Sequence, residues 1–376
     1  MGYQRAGEGS AGWGRLVIGL AIAAAAGLGV PPVPGHASGR QAASTWRFAV
    51  TGDSRNCGDV VMPAIAAGAR GAGASFFWHL GDFRKISDFD EDIAHERQHA
   101  GQPLAILDYE RDAWDDFIRN QVEPFGAMPV MLAMGNHEVI APKTREEYLV
   151  QFADWLTSPV LRDQRLRDDP ADHHLRTYYH WVDQNIDFIT LDNASAEQFD
   201  SPQVAWFRKL IARDVADARI RTLVVGMHKP LPDSISAHGM NESPTSERSG
   251  REVYRALLEA RDKGGKQVYV LASHSHYFMD GIFNTEAWRA VGPVLPGWII
   301  GTGGAVRYPL PAGASDARAA RTMVYGFVVG TVSGDGRVDF AFQQVERSDV
   351  PTAVVSRYGD DFVRWCFDQN ASEHHP

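Results

Sequence analysis

Five short blocks in this 376-residue chain carry residue types that could do chemistry. They are Gly-Asp-Ser-Arg at 52–55, Gly-Asp-Phe at 81–83, Gly-Asn-His-Glu at 135–138, Gly-Met-His-Lys-Pro at 226–230 and Ser-His-Ser-His at 273–276. Together they offer the carboxylates of Asp53 and Asp82, the carboxamide of Asn136, and the imidazoles of His137, His228, His274 and His276. Singly each signal is weak, because an Asp after a strand is more often a turn residue or helix cap than a ligand. Jointly they suit Fe, Mn or Zn, with no thiolate needed. Two divalent or trivalent ions ~3.5–4 Å apart, bridged by a carboxylate, are one way to hydrolyse a phosphate ester.

Such a set works only if the backbone delivers it to one place. Apolar stretches rich in β-branched and aromatic residues predict strands at Trp46–Thr51, Ser75–Leu80, Pro129–Ala133, Thr222–Val225 and Gln267–Ala272, each running into one of the five blocks. Further strands are expected at Tyr178–Val182, Ile186–Leu191, Trp298–Gly301, Met323–Val332 and Arg337–Gln344. Helical patterns cover Val60–Arg70, Trp114–Val122, Gln203–Ala216 and Glu252–Asp262. Strands alternating with helices indicate an α/β architecture, whose ligands gather beyond the C-terminal ends of the strands. Residues 83–113 read as a polar insertion, and His238 lies in a polar loop, 233–250, able to approach a substrate.

The ordered blocks resemble the calcineurin-like metallophosphoesterases, including the purple acid phosphatase branch, over roughly residues 46–305. Gly-Asn-His-Glu is the most specific block, and Gly-Thr-Gly-Gly at 301–304 is similar to a late glycine turn of that family. The resemblance implies a β-sandwich flanked by helices in a single catalytic domain, here residues 44–347 with the insertion at 83–113. It also implies a phosphate-ester substrate and two metal ions. Asp53 and His276 would hold the first ion, Asp82 would bridge, and Asn136, His228 and His274 would hold the second. His137 would face the substrate, with Glu138 orienting it. A metal-bridging hydroxide would attack phosphorus in line while the ions and His137 neutralise charge on the oxygens.

Two departures stand out. The family commonly has His two residues after the first Asp, where this chain has Arg55. The purple acid phosphatase branch has Tyr three residues after the bridging Asp, where this chain has Lys85. The first ion would therefore have fewer protein ligands. Arg55 cannot ligate, having donors only, but could bind a substrate phosphate bidentately.

Two readings of another class stay open. The missing first-metal His fits a binding protein on a decayed metallophosphoesterase fold. His95-Glu96-Arg97-Gln98-His99 matches the H-E-x-x-H signature of zinc peptidases, though the Ala-Gly-Gln-Pro that follows would stop the helix at once. No Walker sequence and no G-x-S-x-G elbow occurs.

The bulk properties frame the site. A net charge of −10 argues against nucleic acid as a stable partner. Arg5 and Arg15, the apolar run Leu16–Val30, the prolines at 31, 32 and 34, and small residues at 35 and 37 predict a signal peptide over residues 1–37. Its removal would leave a secreted or periplasmic protein with no transmembrane segment. In an oxidising compartment Cys57 and Cys366 could pair, tying the C-terminal tail, residues 348–376, to the first site loop. That tail reads as irregular.

Overall fold

Near-continuous apolar runs build the central strands of two sheets, buried on both faces, while the edge strand Val338–Val345 alternates between buried or half-buried and exposed residues. The computed structural model describes residues 45–194, 198–241 and 243–374, so the expected signal peptide lies outside the described residues. The strands are β1 (Trp46–Thr51), β2 (Ala74–His79), β3 (Val130–Leu132), β4 (Tyr179–Asp183), β5 (Ile186–Thr190) and β6 (Thr222–Gly226), then β7 (Gln267–Ala272), β8 (Phe278–Asp280), β9 (Gly297–Ile300), β10 (Ala319–Arg321), β11 (Tyr325–Val332) and β12 (Val338–Val345). One sheet has the order β12-β11-β1-β2-β3, the other β10-β8-β9-β7-β6-β5-β4. Within them β1-β2-β3 and β5-β6-β7-β9 run parallel, with antiparallel strands at the margins.

Alternate residues of each strand face opposite layers. Phe48, Val50, Phe76 and Trp78 of the first sheet meet Trp181, Phe188, Leu271 and Trp298 of the second between the sheets. Ala49 and Phe77 point the other way, into a cluster with the helices. The helices are α1 (Gly58–Gly71), α2 (Glu91–His99), α3 (Ile106–Phe117), α4 (Arg145–Gln151), α5 (Ala153–Leu156) and α6 (Pro159–Asp168), then α7 (Ser201–Ala216), α8 (Pro244–Asp262), α9 (Glu286–Arg289), α10 (Thr352–Tyr358) and α11 (Asp360–Asp368). Residues of α1 and α3 cover the first sheet, and residues of α7 and α8 cover the second. This is the expected β-sandwich flanked by helices.

The parallel strands end at one rim, and the two sheets are joined there. Gly52 N–H donates to Ile300 C=O at 2.9 Å, Asp53 N–H to Gly81 C=O at 2.9 Å, and Ser273 N–H to His228 C=O at 2.9 Å. The loops carrying the candidate ligands are thus hydrogen-bonded to one another before any side chain is considered.

Two expectations change. The expected irregular tail, 348–376, is helical over most of its described residues: α10 and α11 bury Tyr358, Phe362 and Val363 against the α1 layer. Helix α8 starts at Pro244, not at 252. Its first two turns are polar, so no apolar period marks them, but Ser243 caps Ser246 N–H and Pro occupies the first turn. The insertion is built around a charge network. Arg84, fully buried, pairs with Asp59 and Asp116 and lies 3.1 Å from Asp92.

Cys57, just before α1, and Cys366 of α11 form a disulfide with Cα atoms 5.9 Å apart, as the oxidising-compartment reading allowed. It fastens α11 beside the Arg55–Asn56 loop across 309 residues of sequence. Reduction, or Cys366→Ser, should lower unfolding stability by about 2–5 kcal/mol. Denaturant melts with and without reductant check this, and coincident curves would contradict it.

Candidate metal centre

Three candidate ligands sit in the left-handed region that side-chain-bearing residues rarely adopt: Asp53 (φ 58°), Asp82 (φ 60°) and His274 (φ 67°). Each ends a strand and reverses the chain so that its side chain turns into the rim. Such conformations cost on the order of 1–3 kcal/mol each and persist where the surroundings enforce them. Glycines make the necessary room. A Cβ on Gly301 would lie 2.8 Å from Asp53 Oδ2, and one on Gly135 would lie 2.3 Å from Asp82 Oδ1.

Around Asp82 the side chains converge. His228 Nε2 is 3.2 Å from Asp82 Oδ1, 3.0 Å from Asn136 Oδ1 and 3.0 Å from His274 Nδ1. The ligand atoms of Asp82, His228 and His274 lie within 4.8 Å of one another, so these three could hold a metal ion. Next to them, His276 Nε2 is 3.2 Å from Asp53 Oδ1. The convergence on which the sequence reading depends is therefore present.

Proton counting tests whether this donor set fits a metal. His228 Nδ1 is 2.9 Å from Leu80 C=O, which places its proton there and leaves the Nε2 lone pair facing the centre. For His228 Nε2, His274 Nδ1, Asn136 Oδ1 and Asp82 Oδ1 the N–H groups on hand are then that of His274 and the His137 backbone N–H, which donates to Asp82 Oδ1 at 3.0 Å. Asp53 Oδ1 and Asp82 Oδ2 are buried and make no hydrogen bond, with the Arg55 guanidinium 3.5 Å from Asp82 Oδ2. Burial pushes His274 and His276 down, which keeps their lone pairs available. Buried lone pairs in excess of protons fit a bound cation.

The sequence matches the calcineurin-like phosphoesterase family over residues 47–278. The chain belongs to that family. Membership implies a metal centre and a hydrolase acting on phosphate esters. Among solved structures, it is similar to a purple acid phosphatase from yellow lupin (Lupinus luteus) seeds, with TM-score 0.53 and 17% identity. That match covers 80% of this chain and 52% of the lupin protein, so the chain spans about half the length of that relative. A weaker similarity, TM-score 0.46 and 13% identity, is to PhoD, covering 80% of this chain and 72% of that one. No curated protein matches the sequence significantly.

Within this site, two expected roles meet different partners. Glu138 does not orient His137. It accepts from the N–H groups of Asp82 (2.8 Å), Phe83 (2.8 Å) and Gly135 (2.7 Å), and so fixes the loop that carries Asp82. His137 is oriented by a backbone carbonyl instead, with Nδ1 2.6 Å from Lys85 C=O. Burial, then the Arg55 charge, lowers the His137 pKa to about 4, so it is neutral at pH 7. Arg55 faces inward: Nη1 is 2.5 Å from His137 Nε2, and Nη2 is 2.8 Å from His276 Nε2.

The peptidase-like residues are engaged elsewhere. His95 Nε2 is 2.8 Å from Tyr358 C=O, and Glu96 pairs with Arg357 at 2.7 Å, so the motif docks α2 onto α10. His79, at the end of β2, is a packed core histidine, fully buried, with Nε2 2.9 Å from Ser54 Oγ.

Tyr308 is the residue the sequence reading missed. Its ring stacks on His276 with centroids 4.0 Å apart, and no motif marks it. His238 comes within 5.6 Å of His274, ring to ring, as its polar loop suggested. Asp90 of the insertion accepts from Asn56 N–H at 2.6 Å and from Tyr109 O–H at 2.6 Å, which ties the Arg55 loop to the insertion.

Glu138→Ala would leave three buried N–H groups without their acceptor and should cost at least ~3 kcal/mol of stability, at about 1–3 kcal/mol per group. Metal affinity should fall with it as Asp82 loosens. Denaturant unfolding and metal titration check both, and unchanged stability would contradict the role.

Proposed function

We propose that this chain is an exported, metal-dependent hydrolase of phosphomonoesters or phosphodiesters. One observation carries the reading: Asp82, Asn136, His228 and His274 converge at a buried rim beside Asp53 and His276, with lone pairs in excess of protons. The donor set offers two adjoining positions that share Asp82. Asn136, His228 and His274 would complete one, and Asp53 with His276 the other. When bound there, Fe, Mn or Zn would supply Lewis acidity and a water acidified enough to act as nucleophile near neutral pH.

The chain's own groups would do the rest. His137, held by Lys85 C=O through Nδ1, turns its Nε2 lone pair to Arg55 Nη1 at 2.5 Å and so aims that guanidinium, which can bond a phosphoryl oxygen. Arg55 supplies a permanent positive charge and a fork of N–H donors where the oxygens gain charge. Tyr308 braces His276 by stacking, which limits its swing. Glu138 holds the Asp82 loop still.

Export rests on the N-terminal pattern and is supported by the Cys57–Cys366 disulfide, a bond that persists in oxidising compartments. Among the described residues no helix is long and apolar enough to cross a membrane.

The disulfide-intact protein, loaded in turn with Mn, Fe, Zn and Co, should hydrolyse p-nitrophenyl phosphate or bis-p-nitrophenyl phosphate. Chelation should abolish the activity and metal should restore it. Asp82→Asn and His228→Ala should each lower kcat/KM by on the order of 10³ or more, ~4 kcal/mol of barrier. Metal uptake without turnover on any ester would favour the binding-protein reading and overturn this one.

A further inference from the structure

One of the two positions already contains a cation that belongs to the chain. Arg55 stands two residues after Asp53 and its guanidinium reaches across the rim to Tyr308 and to three further groups. They are His137 Nε2 at 2.5 Å, His276 Nε2 at 2.8 Å and Asp82 Oδ2 at 3.5 Å. Both imidazoles have their other nitrogen on a backbone carbonyl, His137 Nδ1 on Lys85 C=O and His276 Nδ1 on Val306 C=O, each at 2.6 Å. Their protons therefore sit on Nδ1, and the Nε2 lone pairs are what Arg55 contacts. The same His276 lone pair and Asp82 oxygen are what an ion would need. We propose that Arg55 takes the place of the ion at the Asp53–His276 position, so that the chain holds a single metal ion tightly, bounded by Asp82, Asn136, His228 and His274. This rests on the reading of the site as a metal centre.

Three further observations favour it. A guanidinium cannot give up its proton to make way for a metal, and in a buried site the repulsion between it and a divalent ion is weakly screened. The Arg55 side chain is only 12% exposed, so leaving the site means crossing packed protein rather than swinging into water. The Asp53–His276 position also has the poorer donor set, two side chains plus the shared Asp82. Lys85, three residues after Asp82, adds nothing, because its amine lies 3.2 Å from Asp88 and 3.8 Å from Glu91.

The test counts ions without reference to turnover. Metal-free protein is titrated with Mn²⁺ calorimetrically, and Mn per chain is measured after gel filtration, for wild type, Arg55→His, Arg55→Gln and Arg55→Lys. We expect about one tight Mn²⁺ per chain in the wild type and in Arg55→Lys, which keeps the charge, and two in Arg55→His, where a ligand replaces the cation. If Arg55→His does not fold, Arg55→Gln should show the gain of a second, weaker event. Two ions of comparable affinity in the wild type would overturn the proposal while leaving the phosphoesterase reading intact, as would one ion in wild type and in every folded variant. No retained ion in any of them would overturn both.

Discussion

Asp53 and Asp82 are fully buried carboxylates, each with one oxygen that makes no hydrogen bond, and that of Asp82 has the Arg55 guanidinium 3.5 Å away. Removing such a group from water without pairing it costs several kcal/mol, and the usual remedy is a cation. The rim is organised around that need. Imidazole lone pairs are turned inward by carbonyls placed behind them, Leu80 for His228, Lys85 for His137 and Val306 for His276. A neutral core could not require this pattern, and it would gain nothing from the left-handed backbone at Asp53, Asp82 and His274.

The sandwich makes the strain tolerable. Parallel strands from both sheets end at one level, and hydrogen bonds such as Gly52 N–H to Ile300 C=O lock the loops of one sheet to the strands of the other. Glu138 extends the same principle by gathering three N–H groups under Asp82. The insertion and the C-terminal helices brace the opposite side. Arg84 lies buried among carboxylates of the insertion, α1 and the end of α3, Tyr358 O–H donates to Asp59 at 2.8 Å, and the disulfide pins α11 to Cys57. Segments that look peripheral along the chain thus hold the loop carrying Arg55 and Asn56.

Much of this was legible beforehand where a local pattern exists. The strands before Asp53, Asp82, Asn136, His228 and His274 announce themselves by apolar runs, and the ligand types follow directly. What could not be read is set by tertiary partners. The orientation of Glu138 depends on which backbone N–H groups the Asp82 turn leaves exposed, not on its place beside His137. Tyr308 acquires meaning only because its loop crosses over His276. Helix α8 begins with two polar turns, whereas α11 carries Phe362, Val363 and Cys366 at helical spacing on one buried face, a period present in the sequence that the reading of an irregular tail passed over. The inward aim of Arg55 depends on two histidines 82 and 221 residues further along the chain, a juxtaposition no sequence window contains.

The most direct test of the central claim is a crystal structure of the Mn²⁺-loaded protein with anomalous scattering data collected at the metal edge. The strongest anomalous peak should lie within coordinating distance of Asp82, Asn136, His228 and His274. A structure in which these four side chains stand apart, or converge with no metal peak between them, would contradict the account.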